Sequence, residues 1–509
     1  MKISDKNSQI ELFFAIFAIA AVSVFVLANL LLGYNLYLYA FAALAGFVVS
    51  VFRPRAGVLA IVFLTFVFER FFTLVPVFWN RAEYKIYPLD ILFAGVLIGT
   101  ILQYFARHLE TRFPSGNRVS KWRIVDWLVA IFILASSAYF FASAYLFRAD
   151  TAVAFSTFKN YAFYGLFYFA IVYLFNSKES LFRLLKFALA GAIAITIFIF
   201  IGAVRGEGLW TEFTPLSTPG TRILAFPHSF FLSMAVLIAL AYFAFGKFKS
   251  RVSKNIFIVL VPVWLLGIAG SLMRHLWISL FVSLVVMIAM LPKENRKKLR
   301  NIFIHYAFLI FILIALLGYV AVLFPDLGIS KTFWSAAGVA GKRFISTANV
   351  STDESLNWRK NVWQSAWEDF KKTPVFGIGY GKKLSVEIGT KYKDFVEVRN
   401  IHNSLLTVFI QMGIWSVGLA AAAFWLIAKS VFKNLKHLRS LPKSGDELLL
   451  LIVFFALFVN YSIAFLFQTY LETNLLGMFF WVIMGSLRSY GFYELRNERT
   501  TKICKQENA

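Results

Sequence analysis

A single cysteine occurs in 509 residues, Cys504 in the polar C-terminal stretch, so the chain can close no intrachain disulfide and assemble no cysteine-based metal site. Charge is also scarce. Only 15% of residues are Asp, Glu, Lys or Arg while 60% are hydrophobic, which leaves too little polar surface to cover a water-soluble globule of this size. An ordinary soluble enzyme is excluded. Acid is the scarcer sign, with 26 Asp and Glu against 51 Lys and Arg, and the net +25 would in a soluble protein point to nucleic acid. Here the basic residues fall mostly between apolar runs, where positive charge sets membrane orientation, so no nucleic-acid partner is expected. The sequence also has no solenoid period, no low-complexity tract and no convincing nucleotide motif between its apolar runs.

What is abundant is apolar and aromatic: 59 Phe, 13 Trp and a mean hydropathy of +0.71, carried by long uninterrupted runs. A helix needs about 20 apolar residues to cross a bilayer. That length predicts fourteen spans, near 11–32, 37–52, 57–79, 88–106, 125–147, 161–175, 187–204, 228–246, 256–273, 276–292, 302–324, 402–428, 447–467 and 474–487. The first run is too long for a signal-peptide core and is read as a retained helix. With the N-terminus inside, the cytoplasmic segments hold 31 Lys and Arg and the short external ones 7, so both termini are expected to be cytoplasmic. Residues 325–401 carry 12 more, but a loop of that length translocates largely regardless of charge.

The expected organisation is therefore an all-α polytopic membrane protein with one large external loop. Residues 1–324 form spans 1 to 11, 325–401 the external loop domain, 402–487 spans 12 to 14, and 488–509 a cytoplasmic tail. Within the loop, Leu356, Trp363, Ala366, Trp367 and Phe370 recur at helical spacing, Thr373-Pro374 marks the helix end, and Gly377, Gly379 and Gly381 suit a tight turn.

Polar residues at membrane borders are the natural functional candidates, and several map to the external side. Arg222 closes Pro219-Gly220-Thr221-Arg222 ahead of the eighth span, and Arg274 sits between the ninth and tenth beside His275. His402 stands where the large loop re-enters the bilayer. Singly, each has a structural reading: border arginines snorkel to headgroups, and a histidine there is commonly a solvated helix end. Together they meet a chemical need, because guanidinium groups bind diphosphate bidentately and an imidazole can take a proton from a sugar hydroxyl near neutrality. Asn403 or Ser404 could cap the twelfth span. Glu69-Arg70 in the third span reads either as a substrate contact or as an internal ion pair, and Trp358, Trp363 and Trp367 either as sugar-stacking platforms or as packing at the membrane surface.

The run Arg359, Trp363, Ala366, Phe370, Pro374, Gly377, Gly379 and Gly381, followed by His402-Asn403-Ser404-Leu405 and Gly413, resembles the O-antigen ligase and Wzy-type O-antigen polymerase superfamily of bacterial envelope glycan assembly. The resemblance implies a GT-C-like glycosyltransferase of the inner membrane that needs no metal or other cofactor. Its donor would be an undecaprenyl-diphosphate-linked glycan, its acceptor a glycan or lipid A-core, and a chain-length regulator is among the partners the family admits. By position, His402 would activate the acceptor hydroxyl, and Arg222, Arg274 and, to a lesser degree, Arg359 would bind substrate. Chain length and extra spans lean towards a polymerase over a ligase or protein O-oligosaccharyltransferase. A transporter or flippase is the competing class, but the polar residues gather on one face rather than at the midplane.

Overall fold

In the computed structural model the described residues are 2–33, 35–68, 77–79, 82–84, 86–110, 123–146, 149–205, 224–248, 250–331, 333–334, 337–338, 354–388, 394–398, 401–441 and 444–490. The first part of the chain forms α1 (Lys2–Leu32), α2 (Leu36–Phe52), α3 (Pro54–Phe68), the hairpin β1 (Val77–Trp79) and β2 (Ala82–Tyr84), α4 (Pro88–Glu110) and α5 (Ile124–Phe141). Next come α6 (Thr151–Phe158), α7 (Leu166–Leu174), α8 (Lys178–Arg205), α9 (Phe226–Phe245), α10 (Arg251–Gly270), α11 (Arg274–Met290) and α12 (Lys293–Leu323). The remainder is α13 (Glu354–Phe370), a second antiparallel hairpin of β3 (Leu384–Ile388) and β4 (Asp394–Val398), α14 (Ser404–Met412), α15 (Ile414–Ser440), α16 (Gly445–Phe465) and α17 (Asn474–Tyr490). Among the described residues nine helices are long and apolar enough to cross a membrane, and α2, α3, α11 and the apolar part of α17 are shorter apolar helices. The chain is thus a helical, multi-pass membrane protein.

Three predicted spans differ from the observed helices. The run 57–79 holds α3 only to Phe68 and has Val77–Trp79 in strand β1. The run near 161–175 is a π-helical turn, Lys159–Phe163, leading into the nine-residue α7, and the run 402–428 is cut at Gly413 into α14 and α15. Lys159, one of the 7 Lys and Arg assigned to the short external segments, is in fact buried: its Nζ lies 2.7 Å from Asp90 Oδ2 and 4.4 Å from the centre of the Tyr87 ring, and the Tyr164 hydroxyl donates to the same carboxylate at 2.5 Å. An ammonium can leave water only with such compensation. Both hairpins are small additions that helical periodicity does not reveal.

The centre of the bundle is α9, buried from Pro227 to Ala244, beside α16. Two polar side chains inside this apolar pair make one hydrogen-bond contact each: His228 Nε2 lies 2.8 Å from Val67 O, and Asn460 Nδ2 donates to Ser233 Oγ at 2.8 Å. At the periphery α12 leaves Phe308, Phe311, Tyr319 and Val322 exposed, the surface a bilayer would cover.

The two ends of the bundle differ. At one, ion pairs tie helix termini together: Glu11 takes Arg55 at 3.5 Å and Arg183 at 2.6 Å, Lys178 meets Glu447 at 3.0 Å, and Lys247 meets Asp446. The same end holds a buried fork in which Arg488 Nε and Nη2 donate to the two oxygens of Asp126 at 2.8 and 2.7 Å while Tyr168 adds a third donor at 2.7 Å. Thirteen residues further along α5, about 20 Å at the helical rise, Tyr139 reaches the opposite end, on which His402 and its partners stand.

Candidate functional site

The site is built on the interruption at Gly413. Because α14 stops after nine residues, the carbonyls of Ile410, Gln411 and Met412 at its end have no following turn to satisfy them. The segment after α13 supplies the missing donors: Ile378 N donates to Ile410 O at 2.9 Å and Gly379 N to Gln411 O at 3.0 Å, while Ile414 N returns to Pro374 O at 3.0 Å. The Tyr139 hydroxyl shares its proton between Phe376 O and Met412 O, 2.8 and 2.7 Å away, and accepts from Trp415 Nε1. Gly413 at φ +92° and Gly377 at φ +70° are required here, since a Cβ on the first would collide with Val375 O and on the second with Ile410 O. The Pro-x-x-Gly-x-Gly pattern and the later Gly413 are therefore the two halves of one joint.

Above the joint, α13 carries a small second core of Val362, Ala366 and Phe370 packed on Leu384, Val386, Ile401 and Ile410. Phe370 lies 4.3 Å from Phe409 between ring centres, and Trp363 Nε1 donates to Ile401 O at 2.7 Å. That bond occupies the polar edge of Trp363, whereas Trp367 is largely exposed and stacks on Phe370 at 5.2 Å. The Trp363 bond holds α13 against the residue preceding His402, and it sits one turn beyond Arg359, whose charge acts on the imidazole.

His402 adopts φ +56°, a left-handed conformation that is uncommon for a residue with a side chain and frequent at sites where function constrains the backbone. Asn403 is the cap of α14, its Oδ1 accepting from Leu406 N at 3.0 Å. Ser404 is turned elsewhere: its Oγ donates to Glu472 Oε2 at 2.6 Å and accepts from Leu471 N at 3.1 Å. The imidazole Nδ1 lies 2.7 Å from Gln468 Oε1. With the amide oriented so, the ring proton resides on Nδ1 and the lone pair on Nε2. Burial lowers the His402 pKa below its ordinary value, the bond to Gln468 partly opposes this, and the nearby Arg359 cation adds to the lowering. His402 is accordingly a neutral imidazole at pH 7.

Gln468 belongs to the polar segment Gln468-Thr469-Tyr470-Leu471-Glu472-Thr473 between α16 and α17, and this segment is the hub. Glu472 accepts from Ser404 on one oxygen and from the buried Tyr161 hydroxyl on the other, and its carbonyl accepts from Asn160 Nδ2 at 2.8 Å. The π-helical turn thus serves to present Asn160 and Tyr161 together, a common use of such a bulge. Tyr470 meets a second histidine, with His275 Nε2 3.0 Å from its hydroxyl. Arg274, half-buried, is the first residue of α11, two positions after Leu272, the other side-chain-bearing residue with a positive φ among the described residues. Arg274-His275 and His402-Ser404 therefore approach one short connection from two sides, and Arg359 joins them through α13. Arg222 and the Glu69-Arg70 pair lie outside the described residues.

Gln468, Glu472, Asn160 and Tyr161 were not anticipated. A polar hexapeptide between two apolar runs, and a Lys-Asn-Tyr triplet inside an apolar stretch, are the signals that mark them. No curated protein matches the chain. Residues 256–423, running from α10 through His402 to the middle of α15, match the family model described as O-antigen ligase, and the chain therefore carries a domain of the O-antigen ligase and Wzy superfamily.

Proposed function

We propose that the protein is a GT-C-like glycosyltransferase that moves glycan from an undecaprenyl-diphosphate-linked donor to a sugar hydroxyl. The observation that carries this reading is the His402 imidazole, held at Nδ1 by Gln468 and kept neutral by burial and by Arg359, with Nε2 left to act as base. The acceptor oxygen bonds to the anomeric carbon, its proton passes to Nε2, and the carbon–oxygen bond to the lipid diphosphate breaks on the opposite face of the sugar. Arg274 is suited to the leaving diphosphate. A cation at the first position of a helix opposes the local dipole, and Met273 offers no side-chain cap, so an anion there would be favoured by the first amides and by the positive charge of Arg274. Arg222 and Arg359 are the further cations proposed for the donor.

The organisation proposed is spans within 1–324 and 402–487, an external domain at 325–401 and a tail at 488–509, with both termini cytoplasmic in the bacterial inner membrane. The charge asymmetry of the sequence supports it. Within this class we favour a polymerase, whose acceptor is another lipid-linked repeat unit. The second reading, a ligase acting on lipid A-core, is favoured by the description of the matched family. Both readings predict transfer by the purified protein from lipid-linked oligosaccharide, loss of transfer in His402→Gln, and retained fold. They differ in product: a ladder of repeat units on the lipid marks a polymerase, and glycan on added lipid A-core a ligase. A wild-type protein without transfer to either acceptor, under conditions where it remains folded, would falsify the enzymatic reading.

A further inference from the structure

The end of the bundle opposite His402 brings two arginines onto one backbone oxygen. Arg296, in the first turn of α12, donates from Nε to Leu291 O at 2.8 Å and from Nη2 to Ala289 O at 3.1 Å. Arg439, in the last turn of α15, donates from Nη2 to Met290 O at 2.7 Å and to the same Ala289 O at 3.4 Å. Lying 3.1 and 3.4 Å from one oxygen, the two nitrogens are at most 6.5 Å apart. Capping the last carbonyls of α11 explains one edge of each guanidinium but not the two charges. The C-terminus of α11 supplies only about half a negative charge, and the positive pole of α12 starts beside it after Pro292. Neither arginine has a carboxylate partner among the described residues. Asp446 and Glu447 at this end hold Lys247 and Lys178, and Glu294, two positions from Arg296, faces another side of the helix.

Two pinned guanidinium groups at this separation, with their outer N–H donors unused among the described residues, suit a phosphate, whose oxygens accept from both through bonds of about 2.8 Å. The surroundings say where that phosphate comes from. Ala289 is exposed and ends an exposed stripe of α11 in which Ile278, Phe281 and Val285 precede it at intervals of three and four residues, 46%, 67% and 50% accessible. From Ile278 to Ala289 the stripe rises eleven residues, about 16 Å, close to half of a hydrocarbon core about 30 Å thick. An apolar track one leaflet deep, topped by two cations, fits an acyl chain and its headgroup. Exposed Lys293 and Arg300 on the Arg296 face of α12, and Lys436 one turn before Arg439, raise the positive charge around the pair, which favours an anionic headgroup over a zwitterionic one.

We propose that Arg296 and Arg439 together hold the phosphate of an anionic phospholipid whose acyl chain lies along the Ile278–Phe281–Val285 face of α11. The site is independent of the glycosyltransferase reading and stands on the opposite end of the bundle from His402. Native mass spectrometry of the purified, delipidated full chain, titrated in detergent with phosphatidylglycerol or phosphatidylcholine, tests it. Phosphatidylglycerol should bind roughly tenfold more tightly than phosphatidylcholine, and Arg296→Gln and Arg439→Gln should each weaken it by roughly tenfold, the loss of a charge-assisted hydrogen bond. Arg251→Gln, which removes an exposed cation at the start of α10 on the same end, should leave binding unchanged. Glycerophosphoglycerol, the same headgroup without chains, should fail to displace the lipid at equal concentration. Equal binding of the two lipids, unaltered binding by the folded Arg296 and Arg439 variants, or an equal loss in Arg251→Gln overturns the site. Displacement by glycerophosphoglycerol also overturns it, because the apolar stripe then plays no part and the arginines bind any phosphate. If one arginine variant fails to fold the other decides, and if both fail the wild-type preference and the chain-free headgroup decide.

Discussion

A histidine can remove a proton from a sugar hydroxyl only while it is neutral, so the environment of His402 sets the pH range of the proposed reaction. Burial and the Arg359 charge both disfavour the imidazolium. The base form therefore persists as pH falls past the ordinary histidine value of about 6.5, and is lost only below it. The acidic limb of kcat/KM should lie below that pH. Arg359→Gln removes one cause of the lowering and should move the limb to higher pH, whereas Gln468→Leu removes the bond that favours the charged ring and should move it lower. A limb that shifts in neither variant would detach His402 from the rate. His402→Gln keeps hydrogen bonding without useful basicity, and should reduce kcat by roughly a hundredfold or more while the protein elutes and melts as wild type. Arg274→Lys retains charge but not the planar fork, so steady-state kinetics should show turnover impaired more than folding.

At the scale of elements, the joint between the Pro374–Gly379 turn and the α14–α15 interruption decides where His402 stands. The joint depends on a backbone that only glycine adopts without strain and on an approach that leaves no room for a Cβ. Gly413→Ala should cost about 1–3 kcal/mol for the conformation alone, and more for the collision with Val375 O. Gly418, five residues along α15, has nothing within 4 Å of a built Cβ, so Gly418→Ala should be neutral or slightly stabilising. Thermal unfolding of both variants in detergent, followed by tryptophan fluorescence, makes the comparison, and equal midpoints would show that the joint tolerates a side chain.

The whole molecule is held at the end opposite the site by the Asp126–Arg488 fork, which ties α5 to α17, the two helices whose other ends deliver Tyr139 and the Glu472 segment. Removing one partner of a buried pair leaves the other charge without compensation, so Asp126→Asn should destabilise by about 3 kcal/mol, read as a lowered unfolding midpoint. The proposed orientation has its own test. With Cys504 replaced by Ser, a cysteine at the exposed Lys382 should react with an impermeant maleimide in spheroplasts. Labelling only after lysis would invert the topology.

Hydropathy and composition alone determined that this chain is a helical multi-pass membrane protein, because transfer of apolar surface into a bilayer acts run by run and needs no knowledge of neighbours. Local pattern also disclosed α13, its end before Pro374 and the glycine turn, since periodicity and backbone strain are properties of short segments. Tertiary structure decided the rest. Gly413 is marked in sequence only as part of the family resemblance, within an apolar run read as one span, and only the approach of Val375 shows why the helix must break there. Lys159 reads as a loop cation until Asp90, 69 positions earlier, is brought to 2.7 Å. The partners of His402 and Ser404 lie 66 and 68 residues away on the last connection of the bundle. Side-chain hydrogen bonds over such separations depend on which helix ends meet, and hydrophobic periodicity, which records only the face each helix buries, carries no information about that meeting.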